Sequence, residues 1–167
     1  SGKIVDPYYV LEFPDWANAV ALTEEGSILM IRQYRQALGE TILEIPGGCI
    51  EAEDPDPETA MRRELLEETG YEFGVVESLG GISPNASTNN NMTHMFLASG
   101  GKKIRDQQLD PNEEIEVLLY RPDEVLDLMK ENKILQSLHV TCLFYAFLRL
   151  GWLKPELQSA AASPKRG

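Results

Sequence analysis

Three stretches near the start of the chain are short and rich in β-formers: YYVLEF at 8–13, ANAVALT at 17–23 and SILMIRQY at 27–34. Each reads as a strand, and Glu24 to Gly26 reads as the turn joining the last two into a hairpin. A fourth strand-like segment, TILEIPGG at 41–48, runs into Pro46-Gly47-Gly48, which is expected to stop it and to free backbone groups for close approach to a ligand or metal. The spacing of apolar residues then turns helical. Asp56 suits an N-cap, Pro57 the first helical position, Glu58 the positive end of the helix dipole and Gly70 the C-terminal stop.

Beyond that helix, GVVESLGGI at 74–82 and MTHMFLA at 92–98 read as strands flanking the polar loop SPNASTNNN, and IEVLLY at 115–120 as another. Helices are expected from near Pro122 to about Asn132 and from about Gln136 to Leu150, ending before Gly151. Strands interrupted by one helix and closed by two predict an α/β sandwich. We expect one domain over residues 3–154 and a frayed tail at 155–167, with Ser1-Gly2 as the remnant of a cleaved tag.

Composition narrows the function. At 167 residues, 43% apolar and 25% charged, the chain suits one soluble globular domain with its own core. The longest apolar run, VTCLFYAFL at 140–148, is too short to span a bilayer, so no membrane role is expected. A net charge of −12 argues against nucleic-acid binding, and an anionic substrate would need a cation between itself and the protein. Cys49 and Cys142 form neither a metal-ligand spacing nor a disulfide framework, and with no signal-peptide pattern they point to the cytoplasm.

The segment RRELLEETG at 62–70 carries the candidate chemistry. On a helix Glu64, Glu67 and Glu68 stand at i, i+3 and i+4, so three carboxylates share one face. That acidic stripe borders the apolar stripe of Met61 and Leu65 instead of opposing it, which holds the carboxylates beside a buried edge. A divalent cation would relieve their repulsion, and Mg²⁺, which takes hard oxygen ligands, fits three Glu better than a metal suited to His or Cys. The alternative is a solvated acidic face with Arg62 and Arg63 as neighbours.

The longer stretch GGCIEAEDPDPETAMRRELLEETGY resembles the signature of the Nudix hydrolases, matched here by Gly48, Asp54, Arg63, Glu64, Leu65, Glu67, Glu68, Gly70 and Tyr71. The half from Arg63 to Tyr71 is intact. The first half departs from the pattern, with Asp54 in place of the usual Glu and one extra residue before Arg63, which puts a role for Asp54 in doubt. The resemblance spans about Tyr8 to Leu150 and implies an α/β/α sandwich with a mixed sheet. It also implies Mg²⁺ or Mn²⁺ held by Glu64, Glu68 and the backbone carbonyl near Gly47, with Glu67 assisting and Arg63 orienting the glutamates. Such a metal would neutralise a pyrophosphate and activate the attacking water.

Residues 32–48 look like the branch that hydrolyses ADP-ribose and other nucleoside diphosphate sugars, whose substrate site matches Arg35 and Glu44. Those two could equally be a structural pair between neighbouring strands. The loop Pro84-Asn85-Ala86 with its Asn run is similar to that of nucleotide-sugar hydrolases, which implies Asn85 as a substrate contact; a plain solvated loop, with His94 satisfied by backbone, is the other reading. The resemblance implies a general base in LDPNEEIEVLLY, with Glu113 first, Glu114 in reserve and Glu116 also available, while Gln108 and Leu109 lead into that loop. Relatives exchange N-terminal strands between subunits, so a homodimer is expected, in which Asp15 or Trp16 would reach a nucleobase, Trp16 by stacking; a buried core Trp is the alternative. The expected activity is metal-dependent cleavage of nucleoside diphosphate sugars to a nucleoside monophosphate and a sugar 1-phosphate. An enzyme specific for ADP-ribose, or a catalytically silent module that senses nucleotide sugars, are the competing readings.

Overall fold

The computed structural model describes Gly2, Ile4 and residues 6–111 and 113–154, so Ser1 and the expected tail at 155–167 lie outside the described residues. Ten elements follow in chain order. They are β1 (Trp16–Thr23), β2 (Ile28–Arg35), β3 (Glu40–Glu44), β4 (Gly47–Cys49), α1 (Pro57–Thr69), β5 (Tyr71–Ile82), β6 (Thr93–Lys103), β7 (Ile115–Tyr120), α2 (Pro122–Lys130) and α3 (Ser137–Arg149).

Strand β1 shows how the layers arise. It is buried along nearly its whole length, and its alternate residues part to opposite faces. Ala17, Ala19 and Ala21 meet Met61 and Leu65 of α1, whereas Val20 and Leu22 meet Cys142, Leu143 and Phe147 of α3. The same division runs through β2, with Leu29 and Ile31 toward α1 and Ile28 and Met30 toward α2 and α3. Three alanines in register on one face let α1 approach closely. Burying Met61 and Leu65 fully then contributes roughly 1.5–3 kcal/mol each.

The sheet is mixed. β1 runs parallel to β6 and antiparallel to β2 and β4, and the remaining pairs are antiparallel. β1 is shared along one edge: Ala21 and Leu22 pair with β2, while Trp16 to Asn18 pair with β4. The sheet therefore forks between β1 and β2, and β3 and β4 line the fork. This α/β/α arrangement agrees with the fold that the resemblance implies.

Most expected elements form. The β1–β2 turn closes with Thr23 N donating to Ser27 O at 2.9 Å and with Gly26 at a φ of 84°, a conformation glycine adopts without a Cβ clash. Two expectations need correction. YYVLEF is not a strand: only Leu11 bridges, to Asn89, because no neighbouring strand continues beside it, and Tyr8, Tyr9 and Phe13 stand exposed. Gly47 and Gly48 do not simply end a strand; they form β4, pressed against β1 and α1. Helix α2 ends at Lys130, two residues early, where Asn132 turns left-handed at a φ of 55°. Among the described residues no helix is long and apolar enough to cross a membrane.

Candidate active site

Local chemistry sets α1 in place. Asp56 Oδ1 accepts from Thr59 N at 2.8 Å as the N-cap, Pro57 opens the helix, and left-handed Gly70 donates to Leu66 O at 3.0 Å to close it. With Met61 and Leu65 packed on the sheet, the bordering stripe of glutamates is carried to β4. Glu68 is 5% exposed, and its Oε2 accepts from Gly47 N at 3.0 Å. Glu64 lies against Gly48 so closely that a Cβ on Gly48 would collide with its carboxylate.

Burial pushes the Glu64 carboxyl up to about 7, against the pull of Arg63. Glu68 is also held well above the usual carboxylate range, first by burial and then by the charge of Glu64. Glu68 is buried and Glu64 largely so, and against their charges stand one backbone N–H on Glu68 and Arg63 Nη1 on Glu64.

Arg63 organises the rest. Its Nε and Nη2 grip both oxygens of Asp54 at 3.2 and 2.8 Å, Nη1 reaches Glu64 Oε1 at 3.0 Å and Glu67 Oε2 at 3.1 Å, and Nη2 donates to Cys49 O at 3.2 Å. The Arg63 hydrogen bond holds Asp54 below its ordinary range, and Asp54 also accepts from Glu51 N at 2.9 Å. The altered residue of the signature thus has a definite place: it braces the arginine that braces the glutamates.

The donor set suits a hard divalent cation: the carboxylates of Glu64 and Glu68 beside the glycine strand offer oxygen ligands. The glutamates are only partly gathered. Among the described residues no three His, Cys, Asp or Glu side chains converge in metal-ligating geometry, since Arg63 holds Glu67 and one oxygen of Glu64.

The loop before β7 is pinned to α1. Gln108 N donates to Glu67 O at 2.8 Å, and Gln107 Nε2 bridges Glu68 O at 2.6 Å and Ile115 O at 3.0 Å. This brings Glu113 close enough that its charge raises the carboxyls of both Glu64 and Glu68. Glu116 is instead tied to Arg32 at 2.8 Å, and Glu114 is exposed in the hollow between them. Gln107 was not expected from the sequence; its neighbour Gln108 was, and one more step along the loop would have found it.

Beside β4 opens a cavity of about 550 Å³, within the range of small-molecule sites. Gly47 and Gly48 join it to the glutamates, Trp16 and Arg35 line it, and Leu135, Gln136, Leu138 and His139 around the start of α3 close its far side. Trp16 is half-buried, with its ring 5.8 Å from Phe13, so it is a cavity wall and not a core residue. Glu44 is fully buried, and its Oε2 accepts from Arg35 Nε at 2.9 Å and lies 2.8 Å from Nη2. Arg35 therefore lines the cavity, whereas Glu44 is fully buried, lies outside the lining and serves as the partner of Arg35 from the adjacent strand. Burial raises the Glu44 carboxyl despite Arg35.

Other candidates lie elsewhere. Asn85 Oδ1 accepts from Ser87 N at 3.3 Å in a local turn, away from the cavity lining. Asp15 accepts from Met92 N at 2.8 Å and lies 3.1 Å from His94 Nε2, so His94 is met by a carboxylate and not by backbone. Asn18, Thr93 and His139 line the cavity without having been expected. His139 offered a signal: it is a single imidazole in an otherwise apolar helix.

Comparison with known proteins places this geometry in a family. The family model described as NUDIX domain matches residues 13–139. A methanol dehydrogenase activator from Bacillus methanolicus is 33% identical, over 84% of this chain and 76% of its own. An ADP-ribose pyrophosphatase from Bacillus subtilis is 27% identical over 89% and 88%, and a GDP-mannose pyrophosphatase from Pectobacterium atrosepticum is 30% identical over 77% and 69%. The crystal structure of an ADP compounds hydrolase superposes with a TM-score of 0.73 at 18% identity, covering 83% of this chain and 73% of that one, which shows a shared fold. A match of this extent settles what the buried glutamates are part of: the chain belongs to the Nudix hydrolase family.

Proposed function

We propose that this Nudix hydrolase cleaves the diphosphate linkage of nucleoside diphosphate sugars, giving a nucleoside monophosphate and a sugar 1-phosphate. One observation carries the reading: the neighbouring carboxyls of Glu64 and Glu68, both raised by burial, adjoin a cavity large enough for a small-molecule ligand. The names of two relatives, an ADP-ribose pyrophosphatase and a GDP-mannose pyrophosphatase, support this substrate class.

Nudix hydrolases generally use divalent metals such as Mg²⁺. Here Glu64, Glu68 and the Gly47 carbonyl would hold Mg²⁺ or Mn²⁺, with Glu67 assisting, and the ion would neutralise the diphosphate and polarise its phosphorus. Arg63 keeps Glu64 and Glu67 in position through its grip on Asp54. Glu113 takes the proton of the attacking water, its loop being tied to the glutamate helix through Gln107 and Gln108. Arg35 offers N–H donors to a phosphate or hydroxyl, and Trp16 offers an apolar face.

The test is phosphate release in a phosphatase-coupled assay with Mg²⁺, over ADP-ribose, GDP-mannose, ADP-glucose, UDP-glucose and nucleoside triphosphates. Turnover of several nucleotide sugars, lost with chelator and in Glu68→Gln, is expected. Cleavage of ADP-ribose alone would narrow the substrate class to that compound, and no turnover of any would overturn hydrolysis in favour of a sensing module. The exposed Tyr8, Tyr9 and Phe13 support a homodimer; a monomeric mass by light scattering at micromolar concentration would refute it.

A further inference from the structure

An unusual group of atoms gathers at the cavity wall, on the lining residues Asn18 and His139 and on Glu44, the buried partner of the lining Arg35. Asn18 Oδ1, Glu44 Oε1 and His139 Nδ1 are all buried, and none has a hydrogen-bond partner among the described residues. Such atoms are costly to leave unpaired and need a reason. Two of them face each other: His139 Nδ1 lies 3.8 Å from Glu44 Oε1, beyond hydrogen-bond length. The third belongs to Asn18, whose Nδ2 reaches Leu138 O at 3.4 Å, the long limit of a hydrogen bond.

Both stretched contacts run from the sheet to one turn of α3, Leu138 and His139. The cap residue Gln136 makes no side-chain bond that would lock this turn from its own end. A shift of about 1 Å toward the sheet would bring Nδ1 to ordinary bonding distance from Glu44 and shorten the Asn18 contact as well. Burial pushes the imidazole down to about 3, so it is neutral at physiological pH, and the facing carboxylate oxygen favours the tautomer with its hydrogen on Nδ1.

We infer that His139 is a positioning residue, and that filling of the cavity by a nucleotide sugar draws the first turn of α3 onto the sheet so that Nδ1–H donates to Glu44 Oε1. Glu44 is then fixed through both oxygens, by Arg35 on one and His139 on the other. The Arg35 guanidinium, 39% exposed at the cavity, is thereby held in one orientation toward the ligand's phosphate. The inference rests on the proposed substrate site and adds to it a closing contact remote from the glutamates.

Calorimetric titration of the full chain, in Mg²⁺, with the non-hydrolysable methylene-bridged analogues of ADP-ribose and of GDP-mannose tests it. His139→Phe keeps the ring and removes the donor, while His139→Asn restores an N–H near Nδ1. His139→Phe should bind about tenfold more weakly, with His139→Asn close to the original protein. The ligand-free Tm of His139→Phe should not fall, because the bond it removes is absent without ligand. Amide exchange at residues 137–140 should slow when ligand is added.

Unchanged affinity in His139→Phe, or unchanged exchange in that turn, would overturn the inference while leaving the proposed function standing. A lowered ligand-free Tm that accounts for the lost affinity would reduce His139 to a structural residue and also overturn it. If the original protein binds neither nucleotide, the substrate reading fails and the inference falls with it.

Discussion

Replacing Glu64 by Gln should separate the cost of the buried glutamates from their use. Glu64 is 15% exposed, and burial lifts its carboxyl from the ordinary 4.5 to about 7. Each tenfold change in proton affinity corresponds to about 1.4 kcal/mol, so ionising this group costs the folded protein about 3 kcal/mol. The value in the folded state is raised, so the group's contribution to stability is fully present below pH 4.5 and is lost as pH rises through about 7. Glutamine keeps the shape and an oxygen for Arg63 Nη1 but has no charge to lose.

Urea denaturation of both proteins in chelator, between pH 5 and pH 8, gives the measurement. The stability of Glu64→Gln relative to the original should improve by about 2–3 kcal/mol across that range. His139, held down at about 3, makes both proteins less stable as pH falls below 6.5, and it cancels in the difference. Adding Mg²⁺ at pH 8 should raise the denaturation midpoint of the original protein and raise that of Glu64→Gln much less. Activity in the variant should be nearly abolished. Parallel pH profiles for the two proteins would refute the claim that Glu64 is charged at a cost.

Three further outcomes are expected. Gly48→Ala places a Cβ against the Glu64 carboxylate, so kcat/KM should fall by about 100-fold while circular dichroism shows the fold retained. Asp54→Asn removes the charge that Arg63 grips, and kcat should fall about tenfold with KM little changed, measured by steady-state kinetics. Asp56→Ala removes the N-cap bond to Thr59, which should cost about 1 kcal/mol in urea denaturation and leave kcat unaltered.

Helix α1 was legible because its determinants are local. The cap, the proline, the stop and the i, i+3, i+4 glutamates act within a few residues of one another, and the structure places each where the sequence put it. The strands other than β4 were legible in the same way, through β-forming runs and turn residues, whereas β4 was read as the end of β3. YYVLEF misled because β-propensity supplies no neighbour: a strand needs a partner edge, and here it meets a loop, with one isolated bridge from Leu11 to Asn89 among the described residues. Asp54 looked displaced by its extra loop residue, yet Arg63 is long enough to reach it, so spacing in sequence mattered less than reach in space.

The sequence by itself determined that three carboxylates would share one helical face, that the face would border the core, and that the sheet would carry helices on both sides. The first two follow from periodicity and sterics, and the third from the family resemblance of the glutamate motif. Only the tertiary structure decided how deeply Glu64 and Glu68 are buried, and hence that their charges are costly; desolvation depends on every layer packed around a group. It also decided that Arg35, Asn18 and His139 line one cavity and that Glu44 pairs with Arg35 and faces His139. They come from three strands and a helix far apart in the chain, and nothing short of the closed sheet brings them together.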